Sequence, residues 1–187
     1  MPLESWGQMF DAVVVAAIPA SAQIVAGYID GHYVTVPALR LSHPHAYVVT
    51  ITVTGKAGAR VCDVESGDLT PLHGAQWAAS ELRAHRKPTI YCSLSNWGHV
   101  EIELNKMGIS SAAVDWWIAH ALVVGQVPTF RPPVPAGAVA LQFAFDVPHN
   151  GHAYDESVTN GHWPWPPKAP VIPDFHPPIV KPPLCTP

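Results

Sequence analysis

The sequence predicts an α/β domain in which parallel strands are covered by helices. Short apolar, β-rich runs alternate with segments of helical spacing along most of the chain. Of the 187 residues, 48% are hydrophobic and 13% charged, against roughly 25% charged in an average soluble domain, so burial is favoured over disorder. No 20- to 50-residue repeat marks a solenoid or propeller, and the length suits one domain with a real core.

The runs from Gln23 to Ile29 and from Ala46 to Val53, each bounded by Gly, Pro or His, read as strands. Ala59 to Glu65 reads as a third. Pro71 to Arg86 follows as a helix, because Pro71 suits a first helical position and Leu72, Ala75, Ala79 and Leu82 recur at helical spacing. Pro88 to Cys92 is the next strand, and Trp97 to Met107 a helix ended by Gly108. Trp116 to Ala119 and Gly137 to Phe143 complete the set of strands. The alternation allows an open α/β sheet or a (β/α) barrel. Since a full eight-unit barrel takes roughly 250 residues, a barrel here would have missing or vestigial helices.

Ten of the 21 prolines fall in residues 164–187, so the folded domain is expected to span residues 1–163 and to be followed by an extended, polyproline-like tail. The tail reads either as a solvated spacer or as a strip that joins a protein partner in a larger assembly, with Trp165, Ile172, Phe175, Ile179 and Val180 as apolar contacts.

Several classes are excluded. Lys and Arg total 10 and Asp and Glu 14, neither sign forming a block, which argues against nucleic acid as a partner. No apolar run reaches the roughly 18 residues of a membrane span. The run Ala12 to Ala20 ends in Ala20-Ser21-Ala22, like a leader-peptide cleavage site, but Glu4 and Asp11 and the lack of Lys or Arg before it disagree with a secretory leader. Cys62, Cys92 and Cys185 make no C-x-x-C pair and are expected to be free thiols. Neither His43-x-His45 nor His149-x-x-His152 belongs to an H-E-x-x-H helix, so no metal is expected, and no G-x-S-x-G marks a serine hydrolase.

The strongest local chemistry lies in Val61-Cys62-Asp63-Val64-Glu65, followed by Ser66-Gly67-Asp68. Strand residues i and i+2 share a face, so Asp63 and Glu65 project together with α-carbons roughly 6.5 Å apart while Cys62 and Val64 face the other layer. A carboxyl kept protonated beside an ionised neighbour is what glycosidic cleavage needs: one protonates the leaving oxygen and the other faces the developing positive charge. Acids at the C-terminal ends of parallel strands are also where α/β folds place their sites. Asp30 and Asp155 stand near other predicted strand ends, with Tyr28, Tyr91, Trp116 and Trp117 as candidate sugar-stacking or core aromatics.

The order Asp30, Asp63-x-Glu65, Thr89-Ile90-Tyr91, Trp117-Ile118-Ala119, Ala140-Leu141-Gln142-Phe143 and Tyr154-Asp155 resembles the glycoside hydrolase family 25 lysozymes and their actinobacterial and phage relatives, over about Ile24 to Val158. The resemblance implies a modified or truncated (β/α) barrel of TIM type that cleaves the β-1,4 bond between N-acetylmuramic acid and N-acetylglucosamine in peptidoglycan glycan strands, with no metal or organic cofactor. By motif, Glu65 would be the general acid and Asp63 the supporting carboxylate. Asp30 and Asp155 would complete an acidic floor, with Tyr28, Tyr91, Trp117 and Gln142 lining the cleft. Two departures stand out: the family's aromatic after W-x-A is replaced by His120-Ala121, and the short stretch from Asp30 to Asp63 implies a lost or abbreviated β/α unit. The resemblance also admits a second class, an inactive glycan-binding or structural module of a phage particle, with the protein located in the virion or the host cytoplasm.

Overall fold

The computed structural model describes residues 7–164. Eight strands close into a barrel in chain order: β1 (Gln8–Asp11), β2 (Ile24–Tyr28), β3 (Tyr47–Thr52), β4 (Val61–Val64), β5 (Thr89–Ser93), β6 (Asp115–Val124), β7 (Ala140–His149) and β8 (His152–Thr159). The pairings from β1 through β7 are parallel, as the alternation of elements predicts. The last strand departs from that expectation: β8 runs antiparallel to both neighbours, because only the two residues Asn150 and Gly151 separate it from β7. Both take positive φ, the conformation of a tight hairpin.

Three helices cover the wall: α1 (Val36–Ser42), α2 (Pro71–Arg83) and α3 (Leu94–Lys106). Among the described residues none is long and apolar enough to cross a membrane. The stretch from β3 to β4 carries no helix, in keeping with the short Asp30–Asp63 interval, and the connections on either side of β7 carry none either. The barrel therefore lacks α-helices in two separate places, between β3 and β4 and from β6 round to β2. Helix α2 starts where Thr70 caps it, its hydroxyl accepting from the His73 amide at 3.3 Å. Ser93 caps α3 by accepting from the Asn96 amide, which moves the start three residues ahead of the expected Trp97. Gly74 lets α2 lie close on β4, since a Cβ there would stand 2.5 Å from Val64 Cγ2.

Alternation sorts the strands into two cores. Met9, Ile24, Ala26, Val49, Ile51, Val61, Tyr91, Trp117 and Ala140 fill the lumen, while Phe10, Val25, Cys62, Val64, Ile90, Cys92, Trp116 and Ile118 face outward into the helix layer. Cys62 and Cys92 are free and buried, matching the expected thiols, and burial pushes both pKa values up, Cys92 to about 12. The run Ala12 to Ala20 is built into the fold: it joins β1 to β2 through a 3-10 turn at Val15–Ala17, with Ala17 and Ile18 buried. At the opposite end of the chain Trp163 enters the lumen at the N-terminal ends of the strands, donating from Nε1 to Thr89 Oγ1 at 3.0 Å. The expected tail from residue 165 onward lies outside the described residues.

Candidate active site

Four acids meet at the mouth where the parallel strands end. Asp63 is the third residue of β4, buried and beside Tyr91 in the β4–β5 register. Glu65 follows at the strand end, half-buried on the same face, as the period of two requires. Asp155 enters from β8: because that strand is antiparallel, its beginning and not its end lies at the mouth. Asp11 stands directly opposite Asp155 in the β1–β8 register.

Asp11 is a site residue that the sequence reading did not single out. In the sequence the run Gln23–Ile29 reads as the earliest strand and Asp30 as the acid that follows it. The true first strand is Gln8–Asp11, and its alternation puts Met9 and Asp11 into the lumen. Asp30 follows the C-terminal end of β2, as expected, and its carboxylate is tied to the end of the neighbouring strand. Its Oδ2 accepts from Thr52 Oγ1 at 2.6 Å and Thr54 Oγ1 at 2.7 Å, and its Oδ1 from the Val53 amide at 2.9 Å. Burial raises its pKa, but these bonds outweigh it and hold the group below the usual carboxylate range. With both oxygens engaged, Asp30 braces the loop after β2 against the end of β3.

The mouth acids behave in the opposite way. Burial, with the charges of Glu65 and Asp68 added, pushes Asp63 from 3.8 up to about 8. Asp11 is raised well above its ordinary value by burial and by Asp155, Asp63 and Glu65. Burial also raises Glu65, helped by Asp68 and Asp155 and opposed by a hydrogen bond donated from the Tyr91 hydroxyl. Asp155 is raised chiefly by burial, against hydrogen bonds from the Asp146 amide at 2.8 Å and Gln142 Nε2 at 2.7 Å. Burial, with mutual repulsion added, raises the proton affinity of all four and keeps Asp63 protonated at neutral pH.

The residues expected to line a cleft divide into two groups. Tyr28 is half-buried and lines a cavity of about 290 Å³ together with Asp11, Asp146, His152 and Asp155. Both Tyr28 and Tyr91 have phenol pKa values raised by burial and then by the acids, so both stay protonated as donors. Trp117 and Gln142 lie deeper. Trp117 is 1% exposed, its Nε1 donates to Ser157 Oγ at 3.1 Å, and its ring meets Tyr91 edge-on at 4.8 Å, so it presents no face to a sugar and supports Tyr91 from below. Gln142, 2% exposed, holds Asp155. A second holder is Asp146, which takes φ +53° at an irregularity in the β7–β8 register and so aims its amide at Asp155.

Chemically, the mouth offers a protonated carboxyl next to others that can ionise, two phenolic donors and an adjoining cavity. That set can donate a proton to a leaving oxygen and stabilise cationic character on a sugar ring. Among the described residues no group of three or more His, Cys, Asp or Glu is arranged to hold a metal ion.

No protein-family model matches the sequence, and no curated protein matches it. A solved structure that is similar is the bacterial lysozyme from Streptomyces coelicolor, at 13% identity and a TM-score of 0.47, covering 83% of this chain and 92% of that one.

Proposed function

We propose that the protein is a peptidoglycan hydrolase of muramidase type, cleaving the β-1,4 bond between N-acetylmuramic acid and N-acetylglucosamine. The reading is supported above all by the convergence of Asp11, Asp63, Glu65 and Asp155 at one mouth of the barrel, with proton affinities raised by burial and by one another. Glu65 is the general acid. It is the more exposed member of the pair and reaches the mouth, and the Tyr91 hydroxyl orients it. Asp63, deeper and keeping its proton near neutrality, supports the reacting sugar through its acetamido group, its carbonyl oxygen accepting from the acetamido N–H. Tyr28 lines the cleft, whereas Tyr91, Trp117 and Gln142 position the groups that touch substrate. The carry-over of these roles follows the D-x-E resemblance described above.

The decisive experiment is release of reducing sugar from purified actinobacterial peptidoglycan by wild type and Glu65→Gln, both shown to be folded by circular dichroism. Loss of turnover of about 10²- to 10⁴-fold in the variant is expected, the usual contribution of a positioned general acid. Equal turnover in both would remove Glu65 from the mechanism. No turnover in either, with glycan binding retained, would overturn the hydrolase in favour of a glycan-binding module of a virion or similar assembly.

A further inference from the structure

A solvent-accessible cavity lies on the outer wall of the barrel, away from the acids. It measures about 840 Å³ and lies on the outward side chains of β1 and β8, which no helix covers, under the connection from β6 to β7. Its walls are aromatic and proline rings: Phe10 and Tyr154 pack edge-on at 5.3 Å, and Phe130, 51% exposed, stands among Pro128, Pro132 and Pro133. In one wall a carboxylate, Glu156, is buried, with Gln8 Nε2 donating to its Oε1 at 2.6 Å and Arg131 Nε 3.7 Å from the same oxygen. The volume is that of a ligand site, and the chemistry is that of grooves that recognise extended proline-rich strands, ring against ring with an acid for a basic side chain.

The chain carries a proline-rich segment of matching composition. Pro164, Pro167, Pro170 and Pro173 stand at every third position, and Lys168 lies between two of them. A polyproline helix has three residues per turn, so those four rings would share one edge. The starting point also fits: Gln8 of the cavity wall pairs with Val158 near the end of β8, and the described chain ends a few residues later at Pro164. At ~3.1 Å per residue, ten residues reach about 30 Å, enough to pass from the barrel floor to its outer wall. We propose that this cavity is the docking site of the chain's own segment 164–173, bound as an extended strand with its prolines on the aromatic rings and Lys168 toward Glu156.

The test uses the full chain with a photoreactive benzoylphenylalanine in place of Phe130, an exposed position outside the acid cluster. Irradiation is expected to link position 130 to a peptide within residues 164–173 in a species of monomer mass. Replacing Pro167, Pro170 and Pro173 together by Ala is expected to lower that yield about tenfold, equivalent to ~1.4 kcal/mol of lost docking. A synthetic peptide of residues 164–173 should then bind the triple variant, whose groove is vacant, about tenfold more tightly than wild type. A link to the tail only in a dimer-sized species would make the occupant a second copy, and equal peptide binding by both proteins would make it a foreign strand. Either outcome, or neither protein binding the peptide, overturns the proposal.

Discussion

The two ends of the barrel lumen treat charge and polar groups in opposite ways. On the floor, at the N-terminal ends of the strands, Trp117 and Trp163 pack with ring centroids 6.1 Å apart, and each indole nitrogen has a hydroxyl partner. The acid on that side, Asp115, is neutralised by Lys87 at 2.6 Å and Arg60 at 3.8 Å. At the mouth, among the described residues, Asp11, Asp63, Glu65 and Asp155 form no ion pair, and Asp11 Oδ2 and Asp63 Oδ1 are buried without a protein partner. A buried carboxylate left so is destabilising, and a fold retains it where chemistry needs the proton. The floor pairs its polar groups, whereas the mouth gives up stability by burying carboxyls without ion-pair partners.

The largest effect should come from emptying the floor. Trp163→Ala removes an indole that is 3% exposed and its bond to Thr89; a loss of about 3–5 kcal/mol is expected, read by urea unfolding. A change near zero would mean that Trp163 is not part of the floor, and the contrast between the two ends would break. The next effect concerns the mouth and its sign is reversed. Because Asp63 has its pKa raised from 3.8 to about 8, its contribution to stability is full below the unfolded value and is lost as pH rises through the folded one. Asp63→Asn removes that loss. Relative to wild type it should gain about 2 kcal/mol or more between pH 4 and pH 9, one pKa unit being worth ~1.4 kcal/mol. Parallel pH profiles of the two proteins would show that Asp63 ionises freely and has no special burden. The smallest effect refines the boundary between floor and mouth: Ser157→Ala deprives the buried Trp117 nitrogen of its acceptor and should cost about 1–3 kcal/mol. Since Trp117 supports Tyr91 and not the substrate, KM should stay unchanged while kcat falls slightly.

The strands that could be recognised in the sequence were those whose lumen-facing and helix-facing sides are both apolar. β2 to β5 fall within a few residues of their expected bounds, and the D-x-E at the end of β4 emerged from side-chain alternation alone. β1 did not, because its four residues begin with the half-buried Gln8, end with the buried Asp11 and run straight into the apolar stretch that mimics a leader. β8 was hidden for a related reason: Ser157 and Thr159 point polar groups into the lumen and Glu156 points one outward into the wall cavity, so no apolar face marks the strand. The same two strands carry Asp11 and Asp155. β6 and β7 extend beyond their expected ends to Val124 and His149. The aim of the Asp146 amide depends on a register irregularity between two strands, a property of their pairing that neither sequence segment contains.

The reversal of β8 has a consequence for how the barrel can be attached to anything else. A parallel eighth strand would have delivered the chain to the acid-lined mouth, beside Asp11 and Glu65. Running the other way, β8 finishes next to the start of β1, with Val158 against Gln8, so the polypeptide enters and leaves on the same side, opposite the carboxyls. Any fusion or tether made at either end of residues 7–164 hangs from the base and leaves the acid-lined mouth unobstructed.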